Sequence, residues 1–298
     1  MYRLKTRAVL ASEIAAYLNK ELSGDDFSVE GPDALRTPRM LGRRGLPAIS
    51  GKPLLLITDK PPTAATRQVA GYLISQAPEV DLAYVLREFF SIAPIHQIHP
   101  GARVDPEARI GRNVMIGAGS VIGPDVEIGD SSVIQQNVVL SGRVRLGKHC
   151  FVKDGAVIGS EGYGFVIDEA GFPIHPPHLG QVVLGDRVWI GANSTIERAL
   201  LEDTLLCDDV KVDDLCHIGA GSVIGTRSML TAGVVVAYGV SVGQDVRLAP
   251  NVSVREQLSI ADRVTVGQGA VVIHDIEHSG VYVGNPARLL ESRGPGQA

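Results

Sequence analysis

The chain has 298 residues, 45% of them hydrophobic but only 5% aromatic, with 34 glycines and a net charge of −5. Such a composition suits a core of small aliphatic layers, and an acidic balance without a basic run of five or more argues against nucleic acid as a partner. No apolar run reaches the roughly 18 residues that span a bilayer, and the opening MYRLKTRAVLASEIAAYL lacks the apolar stretch of a signal peptide.

Residues 1–97 read as a small α/β domain. SEIAAYLNKEL has helical periodicity, with Ser12 as the expected N-cap. KPLLLITD reads as a buried strand ending near Asp59. TAATRQVAGYLISQ and DLAYVLREFFSI read as helices, the second capped by Asp81. PIHQIHP, residues 94–100, is the expected junction.

From Ile98 an aliphatic residue recurs every sixth position: Val104, Ile110, Ile116, Ile122, Ile128, Ile134, Leu140, Leu146, Val152 and Ile158. The ladder resumes at Leu184, Ile190 and Ile196. It slips by two and continues from Leu200 through Leu206, Val212 and Ile218 to Val272. A second column, mostly small, precedes each ladder residue by two, as at Ser120, Val126, Ser132, Cys150, Ser194, Cys216 and Ser222. Residues two apart on a strand share a face, so each hexad predicts a short strand with two inward side chains. Three hexads close a triangular coil of about 18 residues, and the ladder predicts about nine coils over residues 98–278.

The three cysteines have neither metal-ligand spacing nor a disulfide framework. Cys150 and Cys216 fall in the inward column and read as core; Cys207 falls at a turn. The reading is a reduced, cytoplasmic protein.

The ladder breaks between Ile158 and Leu184. The inserted loop, residues 160–182, carries Tyr163, Phe165, Phe172, His175 and His178. A long loop in a regular solenoid is either a structural clamp or a functional wall. Residues 279–298 form a closing segment, GVYVGNPARLL, and a polar tail.

A β-helix interior has no room for a ligand, so chemistry belongs on an outer face or in a groove. His217 lies between two inward positions and must point outward, where an imidazole can take a proton from an attacking amine near neutral pH. It is the candidate catalytic residue. Asp213 and Asp214, in the same hexad, are expected to orient it or to bind substrate. Asn193, Tyr163, Phe165 and His178 complete the substrate-binding candidates. The remaining histidines lack the spacing that brings three imidazoles to one ion, so no metal is predicted.

The stretches VIGSEGYGF (157–165), HLGQVVLGDRVWIGANSTIER (178–198) and DTLLCDDVKVDD (203–214) resemble the UDP-3-O-acylglucosamine N-acyltransferases of lipid A biosynthesis. The resemblance implies a left-handed parallel β-helix, against the usual right-handed crossover. It implies a homotrimer with sites between subunits and no bound cofactor. It also implies transfer of a hydroxyacyl chain from acyl carrier protein, or acyl-CoA, to the amine of a nucleotide-linked sugar, in the cytoplasm or peripheral to the inner membrane. The sequence departs from that family in three places. The family's catalytic histidine falls at Ala220 and a second one at about Gln257. TPRMLGRRGLPAIS lacks the aromatics of a uridine pocket. The C-terminal extension is short. These departures keep two alternatives open: a catalytically silent relative acting as a scaffold, and an acetyl-CoA-dependent sugar N-acetyltransferase.

Overall fold

The computed structural model describes residues 3–5, 7–37, 53–62, 69–92 and 97–289. The chain divides into two compact units, Met1–Pro94 and Ile95–Ala298.

The first unit is built on a four-stranded sheet in the order Leu22–Gly24, Gly71–Ile74, Leu55–Thr58, Leu35–Arg36. Leu55–Thr58 is buried along its whole length, as a largely apolar run in a parallel sheet should be. Helices α1 (Ala11–Tyr17) and α2 (Pro78–Phe89) supply Ile14, Leu82 and Val85 to the core with Leu35, Leu55, Ile57 and Leu73.

Three local expectations are corrected here. Gly71–Ile74, expected as part of a helix, is an inner strand of the sheet. A Cβ on Gly71 would stand 3.2 Å from both Leu22 and Phe27, so the bare backbone admits these neighbours. The start of that expected helix, residues 63–68, lies outside the described residues. Ser12 does not cap α1, which begins one residue earlier; its N–H and hydroxyl both donate to Asp26, 3.0 and 2.7 Å away. Asp81 does not cap α2, which begins with Pro78 at its first turn, a position that needs no N–H donor. Asp81 instead accepts the Ser75 hydroxyl proton. The aromatic-free segment after Thr37 and part of the expected junction also lie outside the described residues.

The second unit is the left-handed parallel β-helix. Its three faces carry eight, nine and ten strands. Coil register advances by 18 residues, as between Ile110 and Ile128. It advances by 38 across the insert, Val144 to Val182, and by 22 in the next coil, Val182 to Thr204. Both predicted columns point inward and form one continuous core. Ile98, at the start of the ladder, is 46% exposed, and within the ladder Leu200 is the exception. The sequence reading put it in the ladder, yet it is 40% exposed while Ala199 is fully buried. The four extra residues of that coil bulge outward between the Thr195–Arg198 and Thr204–Leu206 strands, and Leu206 resumes the inward column.

Buried serines in the inward column have a common task. Ser120, Ser132, Ser194, Ser222 and Ser228 each donate to a turn carbonyl of the next coil and accept a backbone N–H there, as Ser222 does with the Ala237 carbonyl and the Val240 amide. A hydroxyl with both functions used can be buried at little cost. On the outside, Asp130, Asp186, Asp214 and Asp262 each accept an amide N–H from the preceding coil, over 2.7 to 2.9 Å. The closing segment forms Gly280–Val283, paired with the last coil, and Arg288–Leu289, antiparallel to it.

Candidate functional site

The insert is not a featureless loop. Val157–Glu161 runs past the coil, and Val166–Ile167 pairs antiparallel with Pro173–Ile174 to make a hairpin. At the root, Gly159 has φ +88° and the strand register shifts. A Cβ there would fall 2.1 Å from the Ser141 carbonyl oxygen, so only glycine lets the chain leave the prism at this point.

Arg198 holds the root. Its Nε donates to the His178 carbonyl at 2.8 Å, one terminal nitrogen donates to the Gly159 carbonyl, and the other meets Glu161 at 2.8 Å. A guanidinium with donors fixed in a fork suits three separate acceptors better than an ammonium would. Above it runs a chain of rings. Tyr163 and Phe165 meet edge-on with centroids 5.1 Å apart; Phe165 and His175, then His175 and His178, follow at 4.9 Å.

Between this insert and the nearest β-helix face lies a cavity of about 430 Å³. Tyr163, Phe165 and His178 line it from the insert; Glu197, His217, Ala220 and Tyr238 line it from the face. Tyr163 is 91% exposed, so a large apolar ring is held in the open.

His217 opens the short strand His217–Ile218 and points outward, as its neighbours require. Its register partner one coil back is Thr195, and Nδ1 lies 2.8 Å from that hydroxyl. Glu197 shares the outward side of the same strand, and its Oε2 is 3.9 Å from His217 Nε2. That separation exceeds a hydrogen bond but places a carboxylate beside the imidazole. In the tautomer whose Nδ1 donates to Thr195, Nε2 keeps a lone pair beside Glu197.

The structure brings together four of the seven residues named from the sequence: His217, Tyr163, Phe165 and His178. It sets the other three apart. Asp214 accepts the Ala192 amide at 2.7 Å and pairs with Lys153, whose ammonium holds the carboxyl below the usual range. It is a clip between coils. Asp213 lines a separate hollow of about 270 Å³ beside Trp189, Lys211 and Met229. Asn193 occupies a left-handed turn, φ 54°, which asparagine tolerates better than most residues. The expectation that Asp213 and Asp214 orient His217 is therefore replaced by Thr195 and Glu197. Those two and Arg198 were missed. The signal was present in GANSTIER, but it becomes readable only once the 22-residue coil sets Thr195 beside His217.

Comparison with known proteins bears on the same segment. The family described as hexapeptide repeat of succinyl-transferase matches residues 107–141 and 181–226. UDP-3-O-acylglucosamine N-acyltransferase of Xanthomonas axonopodis pv. citri is 48% identical over 99 residues, which is 33% of this chain and 29% of that protein. The Coxiella burnetii protein of the same name is 38% identical over 104 residues, 35% of this chain and 30% of that one. Over these stretches the chain is similar to hexapeptide-repeat proteins and to UDP-3-O-acylglucosamine N-acyltransferases.

The match spans under a third of the length of those curated relatives. Among solved structures, the UDP-N-acetylglucosamine acyltransferase of Campylobacter jejuni superposes with a TM-score of 0.59 at 21% identity, covering 65% of this chain and 74% of that one. The Francisella novicida enzyme gives 0.57 at 25%, covering 63% and 66%. The first likeness establishes the β-helix fold. Ala220 forms part of the cavity wall and is 5% exposed. A Cβ built on Gly162 would stand 2.9 Å from the Ala220 Cβ and 3.3 Å from His178 Nε2, so an imidazole nitrogen and that alanine border one point.

Proposed function

We propose that the cavity is the acyl-transfer site of an N-acyltransferase, active as a homotrimer. It moves a hydroxyacyl chain from acyl carrier protein to the amine of a nucleotide-linked amino sugar in lipid A synthesis, on the cytoplasmic side of the inner membrane. The observation that carries this reading is His217, with Nδ1 engaged by Thr195 and Nε2 beside Glu197, at a cavity walled by the insert.

In this reading the sugar amine attacks the thioester carbonyl, and His217 Nε2 takes the amine proton as the new C–N bond forms. Glu197 stabilises the resulting imidazolium across 3.9 Å. When the C–S bond breaks, the leaving thiolate receives the proton from the imidazolium. A positioned base of this kind is worth about 10²- to 10⁴-fold in rate. Tyr163 and Phe165 offer apolar area to the acyl chain.

Donor competition tests the assignment. Supplied with UDP-3-O-acylglucosamine, the protein should turn over a hydroxyacyl carrier protein in preference to acetyl-CoA. Turnover with acetyl-CoA alone would refute the long-chain reading and make the protein a sugar N-acetyltransferase.

A further inference from the structure

Glu161, His175 and His178 stand at the neck of the insert with one potential ligand atom each, all within 4.8 Å of one another. The hydrogen bonds of the two imidazoles decide what those atoms can do. His175 Nε2 lies 3.0 Å from the Gly162 carbonyl, and His178 Nδ1 lies 3.0 Å from the Pro176 carbonyl. A carbonyl oxygen only accepts, so each of these nitrogens carries the proton. In the neutral rings the opposite nitrogens, His175 Nδ1 and His178 Nε2, hold lone pairs. A ring N–H fixed on a backbone carbonyl is the outer-shell arrangement that orients metal-binding histidines.

Two further observations point to a ligand. His178 is only 6% exposed, and among the described residues its Nε2 has no hydrogen-bond partner. The same nitrogen stands 3.3 Å from where a Cβ would sit on Gly162 and on Gly164, so it faces glycine backbone without side chains to cover it. The centroids of His175 and His178 are 4.9 Å apart, with 17° between the ring planes. Glu161 adds a carboxylate: Oε1 is taken by Arg198, while Oε2 is turned to His175 Nδ1 at 3.5 Å.

We propose that Glu161, His175 and His178 form a site for a divalent transition-metal ion of the zinc class, in a two-histidine, one-carboxylate arrangement. The ion ties the end of the Val157–Glu161 strand to the returning arm of the hairpin and so fixes the wall of the cavity. Neutral imidazoles with one carboxylate suit Zn²⁺, Co²⁺ or Ni²⁺ over Mg²⁺ or Ca²⁺, which take oxygen ligands.

The test is metal binding by the full-length chain after removal of metals with a chelator. Titration with Zn²⁺ by calorimetry and with Co²⁺ by visible absorption should show one ion per chain, while Mg²⁺ gives no signal. His175→Ala, on a half-buried ring outside the β-helix core, should weaken binding by about a hundredfold or more, beyond the cost of losing an outer-shell bond. Glu161→Gln should weaken it while leaving circular dichroism unchanged, which separates ligand loss from misfolding. No Zn²⁺ or Co²⁺ bound by the wild type would overturn the site, as would affinity unchanged in both variants.

Discussion

His217 and Thr195 are register partners on adjacent coils, with the imidazole Nδ1 2.8 Å from the threonine hydroxyl. This pair sits in the one coil whose pitch is 22 residues, so an outward bulge of four residues beside it enlarges the wall without disturbing the pairing. Thr195→Val keeps the shape and removes the hydroxyl. It should lower kcat by about 10- to 100-fold, part of what a positioned base supplies, with KM little changed. Steady-state kinetics on both proteins checks this, and an unchanged kcat would mean that Thr195 does not orient the base.

Arg198 gives a different signature, because it holds the insert and does not reach the reacting atoms. Arg198→Ala removes donors to the His178 and Gly159 carbonyls and to Glu161. Loss of that root should raise KM several-fold and open residues 163–174 to limited proteolysis, with the β-helix melting transition retained. Arg198→Lys should restore little, since one ammonium lacks the fork of fixed donors that serves three separate acceptors.

The repeat was legible in the sequence because successive hexads share one two-column rule, and the structure buries Val126, Ile128, Val144 and Leu146 as that rule requires. The rule failed where a local insertion mimics it. Leu200 is aliphatic and correctly spaced from Leu206, yet the chain bulges there and Ala199 takes the inward place. The helix caps were misread because Asp26, fourteen residues from Ser12, supplies an acceptor that no local pattern announces. At the site, His217 was readable from strand alternation. Its partners were not, because they depend on the coil pitch. Asp213 and Asp214 were misleading for the reverse reason: near in sequence, Asp214 serves the coil before it and Asp213 lines a separate hollow.

Ser222 tests the inward hydroxyls. Ser222→Ala leaves the Ala237 carbonyl and the Val240 amide without their partner in a fully buried position. The expected cost is about 1–3 kcal/mol, the penalty for orphaned buried polar groups. Ile218→Ala, which empties space in the same core, should cost about 2–5 kcal/mol. Chemical denaturation of the two variants measures both, and a neutral Ser222→Ala would show that water replaces the hydroxyl.

The thiols should separate by burial. Burial pushes Cys150 up to about 11 and raises Cys216 as well, which keeps both as unreactive thiols at neutral pH. Cys207 is half-exposed at a turn. Iodoacetamide at pH 8 should therefore modify one thiol of the native protein, Cys207, and all three in denaturant. Peptide mapping distinguishes this from labelling within the coils.

The central claim is that His217 is the base of an acyl-transfer site. Its most direct test is the rate of N-acylation of UDP-3-O-acylglucosamine by a hydroxyacyl carrier protein, wild type beside His217→Ala, with both confirmed as folded trimers. The account predicts turnover by the wild type and a loss of about 10²-fold or more in the variant. Full activity in His217→Ala, or none in a correctly assembled wild type, would contradict it.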